Sequence, residues 1–246
     1  EVNYLKTQNA NLTNVASNAT DTAKNATKTT GKTMHMMKYA SIHFNDAPPL
    51  MALTKDQVCK MIDYKNIGET KETNAKYVKL MLTHYEKRNI PSFFGKMIVK
   101  TLKNKEPKKC SIWTSDASRL SFVIMREVTE DGIKDWVTDK TGAKFAALVI
   151  TPMFGVVKEL LNTFVKNQNE WAEEHGSAAA ATTFKYDQMM KNMGSIIKMQ
   201  QDISLNTFNK DILKYAAPYF DFEVERKEDI KLLEHDNDVS KCEKPT

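Results

Sequence analysis

The 246 residues, with 41% hydrophobic side chains, suffice for one well-filled core with chain left over for arms. The 8 glycines and 7 prolines are too few for the many tight turns of a sandwich or barrel, which excludes those folds and leaves long helices. The net charge of +5 comes from lysine, since arginine occurs only at positions 88, 119, 126 and 226; such an excess suits contact with a polyanion and is equally common on plain soluble surfaces.

Three cysteines, Cys59, Cys110 and Cys242, are odd in number and far apart. They argue against a disulfide framework or a metal site and point to a reducing compartment. No apolar run approaches the roughly 20 residues that span a bilayer, so no membrane partner is expected.

In chain order, residues 1–49 read as an N-terminal arm and connector. Positions 1–33 are rich in Asn, Thr and Ala with almost no large apolar side chains, too little to offset the entropy of ordering. The connector ends in Pro48-Pro49. Residues 50–220 read as a helical core domain and 221–246 as a charged C-terminal tail, an all-α fold. Thr54 with Gln57 forms a capping box that opens a helix to about Tyr64. Tyr77, Leu80, Met81, His84 and Tyr85 mark a helix over 70–88, and His84 on that stripe reads as a core or boundary residue. Phe93, Phe94, Met97, Ile98 and Leu102 mark a third over 92–104.

Ser115 is read as the cap of a helix reaching Val128, and residues 133–142 as a turn or short helix. Thr151-Pro152 reads as a helix start, because proline is tolerated at the first helical position. That helix should run to about Trp171. Met189, Met190, Met193, Ile196 and Ile197 define the next, over 182–201, and a last one covers about 205–217.

Residues able to carry chemistry are few. Phosphate-binding glycine loops, HExxH, CxxC and G-x-S-x-G are absent. None of His35, His43, His84, His175 and His235 pairs with another at i,i+4. No catalytic residue, metal ligand or cofactor is therefore expected, and the chain reads as a non-enzymatic binding or structural protein.

Basic residues carry the strongest signal. Between 87 and 109 lie eight of them against one acid, Glu106. Lys96, Lys100 and Lys103 recur at i, i+4 and i+7, one edge of a helix opposite its apolar set. Such an edge is either a solvated face or a track for phosphates, whose neutralisation releases counterions. Arg119 and Arg126, seven apart with Phe122 between them, would share a helix face on which bases could stack. The other reading turns Phe122 inward and leaves the arginines in surface ion pairs.

The segment SLNTFNKDILKYAAPYFDFEV, residues 204–224, resembles the terminal core motif of flexible filamentous plant-virus coat proteins. There a Ser-Leu-Ala-Arg-Tyr-Ala helix leads into Phe-Asp-Phe. The counterparts here are Leu213, Lys214, Tyr215, Ala216, Phe220, Asp221 and Phe222, with Ala217-Pro218-Tyr219 inserted and Lys214 in place of Arg.

The resemblance implies a helical core whose two arms bridge neighbouring copies, and single-stranded RNA in a groove lined by a Ser, an Arg and an Asp. Asp221 would hold a basic side chain. Lys158 is the nearest base to the upstream Arg position, and Ser115 or Ser118 would supply the Ser. Nucleocapsid proteins of segmented negative-strand viruses share the arm–core–arm plan. The implied function is coating of single-stranded RNA without sequence specificity, in a homo-oligomeric helical filament joined through the arms, located in the virion and the host cytoplasm. The rival reading is a protein–protein adaptor that docks through the Met189–Met193 helix.

Overall fold

A computed structural model describes residues 17, 20, 21, 23, 24, 27, 31, 33–62, 71–128, 132–179 and 183–221. Most of the N-terminal arm and nearly all of the C-terminal tail expected above lie outside these residues.

The first half of the core follows its local signals. Helix α1 covers 33–43. Helix α2 (Lys55–Met61) opens on the capping box: the Thr54 hydroxyl accepts the Gln57 N–H at 3.3 Å and the Gln57 side chain accepts the Thr54 N–H at 2.9 Å. Helices α3 (Lys71–Glu86) and α4 (Ile90–Leu102) follow, α4 with Pro91 in its first turn. Asn74, Tyr77, Val78, Met81 and Leu82 face inward from α3, and Ile90, Phe94, Gly95 and Ile98 from α4. His84 is half-buried, its ring stacked on Phe93 at 4.1 Å.

The all-α expectation fails between residues 112 and 139. Instead of a helix from Ser115 to Val128 the chain forms a hairpin of β1 (Ile112–Asp116) and β2 (Ser121–Glu127). The expected turn at 133–142 contains a third strand, β3 (Lys134–Asp139). The three make one antiparallel sheet in the order β1-β2-β3, so the fold is mixed α and β.

Both faces of this sheet are buried. Ile112, Phe122 and Ile124 join the main helical core, while Trp113, Val123, Met125 and Trp136 face the other way. That alternation is the period of two of a pleated strand. The outer face is covered by Met36, Ala40, Phe44 and Ala47, with Phe44 stacked on Trp113 at 5.5 Å. Residues 33–47, read above as arm and connector, thus roof the sheet.

An α-helix does begin at Thr151-Pro152, as expected, but within a longer helical run. Helix α5 (Ala143–Phe145), a wider turn (Ala146–Ile150) and α6 (Thr151–Ala179) run on without interruption. Proline lacks the N–H that would bond the Leu148 carbonyl four residues back, which invites a widened turn. The Leu148 carbonyl instead accepts the Leu53 N–H at 2.9 Å. The lost helical bond becomes a tertiary one.

The stretch Ala143–Glu174 is, by length and composition, apolar enough to cross a membrane, which the sequence reading had not counted. Its apolar side chains face the core: Phe145, Val149, Met153, Val157, Leu161 and Phe164 are all buried.

Helix α7 (Thr183–Ser204), helix α8 (Asn209–Ala216) and a 3₁₀ turn (Ala217–Phe220) complete the core.

Gly142 holds a left-handed φ of 71°, and a Cβ there would lie 2.7 Å from Leu213 Cδ1 and 3.1 Å from Phe122 Cε2. Gly142→Ala should therefore lower the unfolding free energy by about 1–3 kcal/mol in urea titration. Gly155, exposed on α6 with nothing within 4 Å of an added Cβ, should respond oppositely. Gly155→Ala is expected to stabilise by about 0.5–1 kcal/mol.

Candidate nucleic-acid interface

Helix α4 presents two edges. Its buried edge meets α8 at Gly95, where an added Cβ would run into the Tyr215 ring. At roughly 100° per residue the lysines at 96, 100 and 103 lie about 80–140° round the helix from Gly95, along the border of that contact. Lys96 and Lys100 are exposed on α4, and Lys103 is exposed at its C-cap. The following loop, with its 3₁₀ turn (Pro107–Lys109), adds exposed Lys105, Lys108 and Lys109. Lys109 pairs with Glu106 at 2.8 Å. Among the described residues, Lys96, Lys100, Lys105 and Lys108 make no ion pair.

On α8 the buried positions are Ile212, Leu213 and Ala216, so Lys214, Tyr215 and Tyr219 fall at or near the surface. Tyr215 and Tyr219 stack, with ring centroids 5.5 Å apart and planes at 30°, and the Tyr219 hydroxyl donates to Tyr215 Oη at 3.4 Å. That neighbouring hydroxyl pushes the Tyr215 phenol up. Tyr219 is 44% exposed. The sequence reading took neither tyrosine as a site residue; their i,i+4 spacing beside a proline was the available signal. Lys214 pairs with Asp211 at 3.1 Å across an exposed helix turn. Exposed pairs of this kind contribute roughly 0–1 kcal/mol, so Lys214 and Lys109 can exchange their carboxylates for phosphate.

The Asp221 motif lies at the junction of α8 and the sheet. The Thr114 hydroxyl donates to the Ala217 carbonyl at 2.7 Å, and Asp221 pairs with Thr114 in an isolated parallel bridge. This places Asp221 one strand position from Ser115. The Ser115 hydroxyl donates to Ser121 at 3.0 Å and accepts from Thr33 at 3.2 Å, so it ties α1 to the hairpin.

The remaining sequence candidates separate. Phe122 is fully buried, its ring edge-to-face with Phe145 at 5.4 Å, which removes it as a stacking surface for bases. Arg119 sits in the β1–β2 turn, whereas Arg126 lies near the far end of β2, opposite Asp135. From the start of β2 at Ser121 to Arg126 the strand spans about 17 Å, so the two arginines lie toward opposite ends of the strand and not on one helix face. Arg126 lines an open groove with Leu50 and Val128. Lys158 is half-buried on α6, whose main helical neighbours are α2, α3 and α7.

Ser118 and Arg119 belong to a turn organised by Asp116. Its Oδ1 accepts the Ser118 N–H at 3.0 Å, the Ser118 hydroxyl at 2.6 Å and the Arg119 N–H at 3.2 Å. This is an Asx turn, and it stands where a helix capped by Ser115 was expected. Partial burial pushes the Asp116 carboxyl up, but these hydrogen bonds and the Arg119 guanidinium 3.8 Å away outweigh it and hold the group below its ordinary value.

A depressed carboxyl contributes stability that is complete above its unfolded value and is lost as pH falls through the folded one. Wild type should therefore exceed Asp116→Asn by about 0.5–2 kcal/mol at pH 6, the usual range for an Asp that caps backbone N–H groups. The gap should close below the ordinary value of 3.8, as read by urea unfolding across pH.

Compared with family models, with curated proteins and with solved structures, the chain finds no match in any of the three.

Proposed function

We propose that this chain coats single-stranded RNA without sequence specificity and polymerises along it as a filament. One observation carries the reading: exposed lysines line one edge of α4 and its following loop, with Lys96, Lys100, Lys105 and Lys108 in no ion pair among the described residues, beside a stacked tyrosine pair whose Tyr219 is exposed. Lysines spaced by a helical turn contact phosphates in any sequence, and aromatic rings offer a face to any unpaired base. Asp221, where the chain leaves the α8 region, fits the positioning role suggested by the coat-protein resemblance. It is held beside the strand that bears Ser115, and a carboxylate there would fix a basic side chain rather than touch the RNA, since it repels phosphate. The terminal segments join neighbouring copies, which makes binding cooperative.

A second reading has its own observation. Met190 and Ile197, seven residues apart on α7, are 53% and 52% exposed, as the face of a protein adaptor would be. An adaptor purifies free of nucleic acid and does not form filaments.

Fluorescence anisotropy with labelled oligouridine, over a salt series, tests the first reading. Lys96→Glu, Lys100→Glu and Lys103→Glu combined should abolish most of the affinity. The slope of log K against log salt should fall by about 2 if all three neutralise a phosphate. Tyr219→Ala should cost about 1–3 kcal/mol of binding while leaving the salt slope alone. Unchanged affinity in the triple variant would overturn the proposed interface.

Removing residues 1–31 leaves Thr33 to anchor α1. That truncation should bind short RNA normally yet fail to assemble in electron micrographs, and intact filaments would refute assembly through the arm.

A further inference from the structure

Two helix ends meet at one corner of the fold, and both close in the same way. At the end of α3 the Asn89 N–H bonds the His84 carbonyl and the Arg88 N–H the Tyr85 carbonyl, both at 3.0 Å. At the end of α7 the Thr207 N–H bonds the Asp202 carbonyl at 3.0 Å and the Asn206 N–H the Ile203 carbonyl at 3.1 Å. Each motif needs one left-handed residue, usually glycine and sometimes asparagine. Asn206 serves on α7, at φ 56°. On α3 the position is filled by Arg88, at φ 54°. An L side chain there costs about 1–2 kcal/mol, so the guanidinium is set at this corner against the backbone's preference.

Between the two turns lies a cavity of about 470 Å³, within the usual range for small-molecule sites. Its apolar lining is Tyr85, Ile90 and Phe208, with the Tyr85 and Phe208 rings edge-to-face at 6.3 Å. Its charged lining comes from three elements: Glu86 and Arg88 from the α3 end, Lys198 and Asp202 from α7, and Asp211, already paired with Lys214, from α8. Among the described residues Glu86, Arg88, Lys198 and Asp202 are in no ion pair, although they share one cavity. Asp202 is half-buried and accepts the Tyr85 hydroxyl at 2.8 Å. Partial burial, and then that bond, push the Tyr85 phenol up to about 12, so it stays a donor at neutral pH.

We propose that this cavity binds a small zwitterion of the free amino-acid type. Arg88 and Lys198 take its carboxylate, Asp202 and Glu86 its ammonium, and Tyr85, Phe208 and Ile90 its apolar side chain. A nucleotide fits the charges less well, because the carboxylates of Glu86, Asp202 and Asp211 outnumber the two cations of the lining. The site is separate from the lysine edge of α4 and does not depend on the RNA reading.

Isothermal titration of the full chain with L-phenylalanine and L-leucine tests this, with N-acetyl-phenylalanine amide and uridine monophosphate as comparison ligands. At least one free amino acid should bind saturably, and the doubly capped compound should bind at least about tenfold more weakly. Arg88→Gly is the discriminating variant. Glycine suits the left-handed backbone, so the melting temperature should hold or rise while affinity drops by about tenfold or more. Asp202→Asn should weaken binding similarly. No saturable heat from either amino acid, equal binding of the capped compound, tighter binding of the nucleotide, or an Arg88→Gly protein of undiminished affinity would each overturn the assignment.

Discussion

Helix α8 is wedged between two glycines, and the geometry of the molecule turns on that fit. Tyr215 lies against Gly95 on one side and Leu213 against Gly142 on the other, two residues apart and so roughly opposite on the helix. Any side chain at either glycine would push α8 outward. A third tie, from the Thr114 hydroxyl to the Ala217 carbonyl, is buried and fixes the end of α8 to the edge strand. Close approach at Gly95 sets the tyrosine stack next to the lysine edge of α4. Close approach at Gly142 seats α8 over the start of the long helix that contains α6. The meeting of the lysine edge with the tyrosine stack is therefore a consequence of core packing, and the exposed lysines only decorate a position that the glycines created.

Charge is distributed unevenly around this frame. Cross-helix ion pairs occur on the α6 side, where Lys55 meets Glu159 and Lys71 meets Glu170. Among the described residues, Lys96 and Lys100 on the outer edge of α4 have no acidic partner of that kind. Exposed pairs add little to stability, so the asymmetry matters less for folding than for what each side can bind. One side has cations matched by carboxylates across helices, and on the other Lys96 and Lys100 stand exposed to solvent. The corner between the α3 and α7 ends differs from both, since charges of each sign face one cavity without meeting.

Legibility in the sequence tracked the range of the interaction. The Thr54–Gln57 capping box, the apolar spacing of α3 and α4 and the basic run at 96–109 are local patterns, and each element formed close to where those patterns put it. The stretch Phe122–Met125 carries no such information. A strand buried on both faces has no polar side, so its apolar run matches a helix core as well as a strand. Reading it as helix joined Arg119, Phe122 and Arg126 into one face, whereas the pleat sends Phe122 into the main core. Ser115 was read as a helix cap, but the residue that caps backbone N–H groups is its neighbour Asp116, and those groups belong to a hairpin turn.

From the sequence alone came a helix-rich chain without a local catalytic or metal motif, a lysine edge on α4, and the ends of several helices. These depend on neighbours within one or two turns, which a linear pattern records. Tertiary structure decided the sheet, the burial of both its faces, the roofing of one by residues 33–47, and the meeting of Tyr215 with Gly95. Those contacts join residues scores of positions apart, selected by which surfaces can exclude water together, and no short-range spacing encodes that choice.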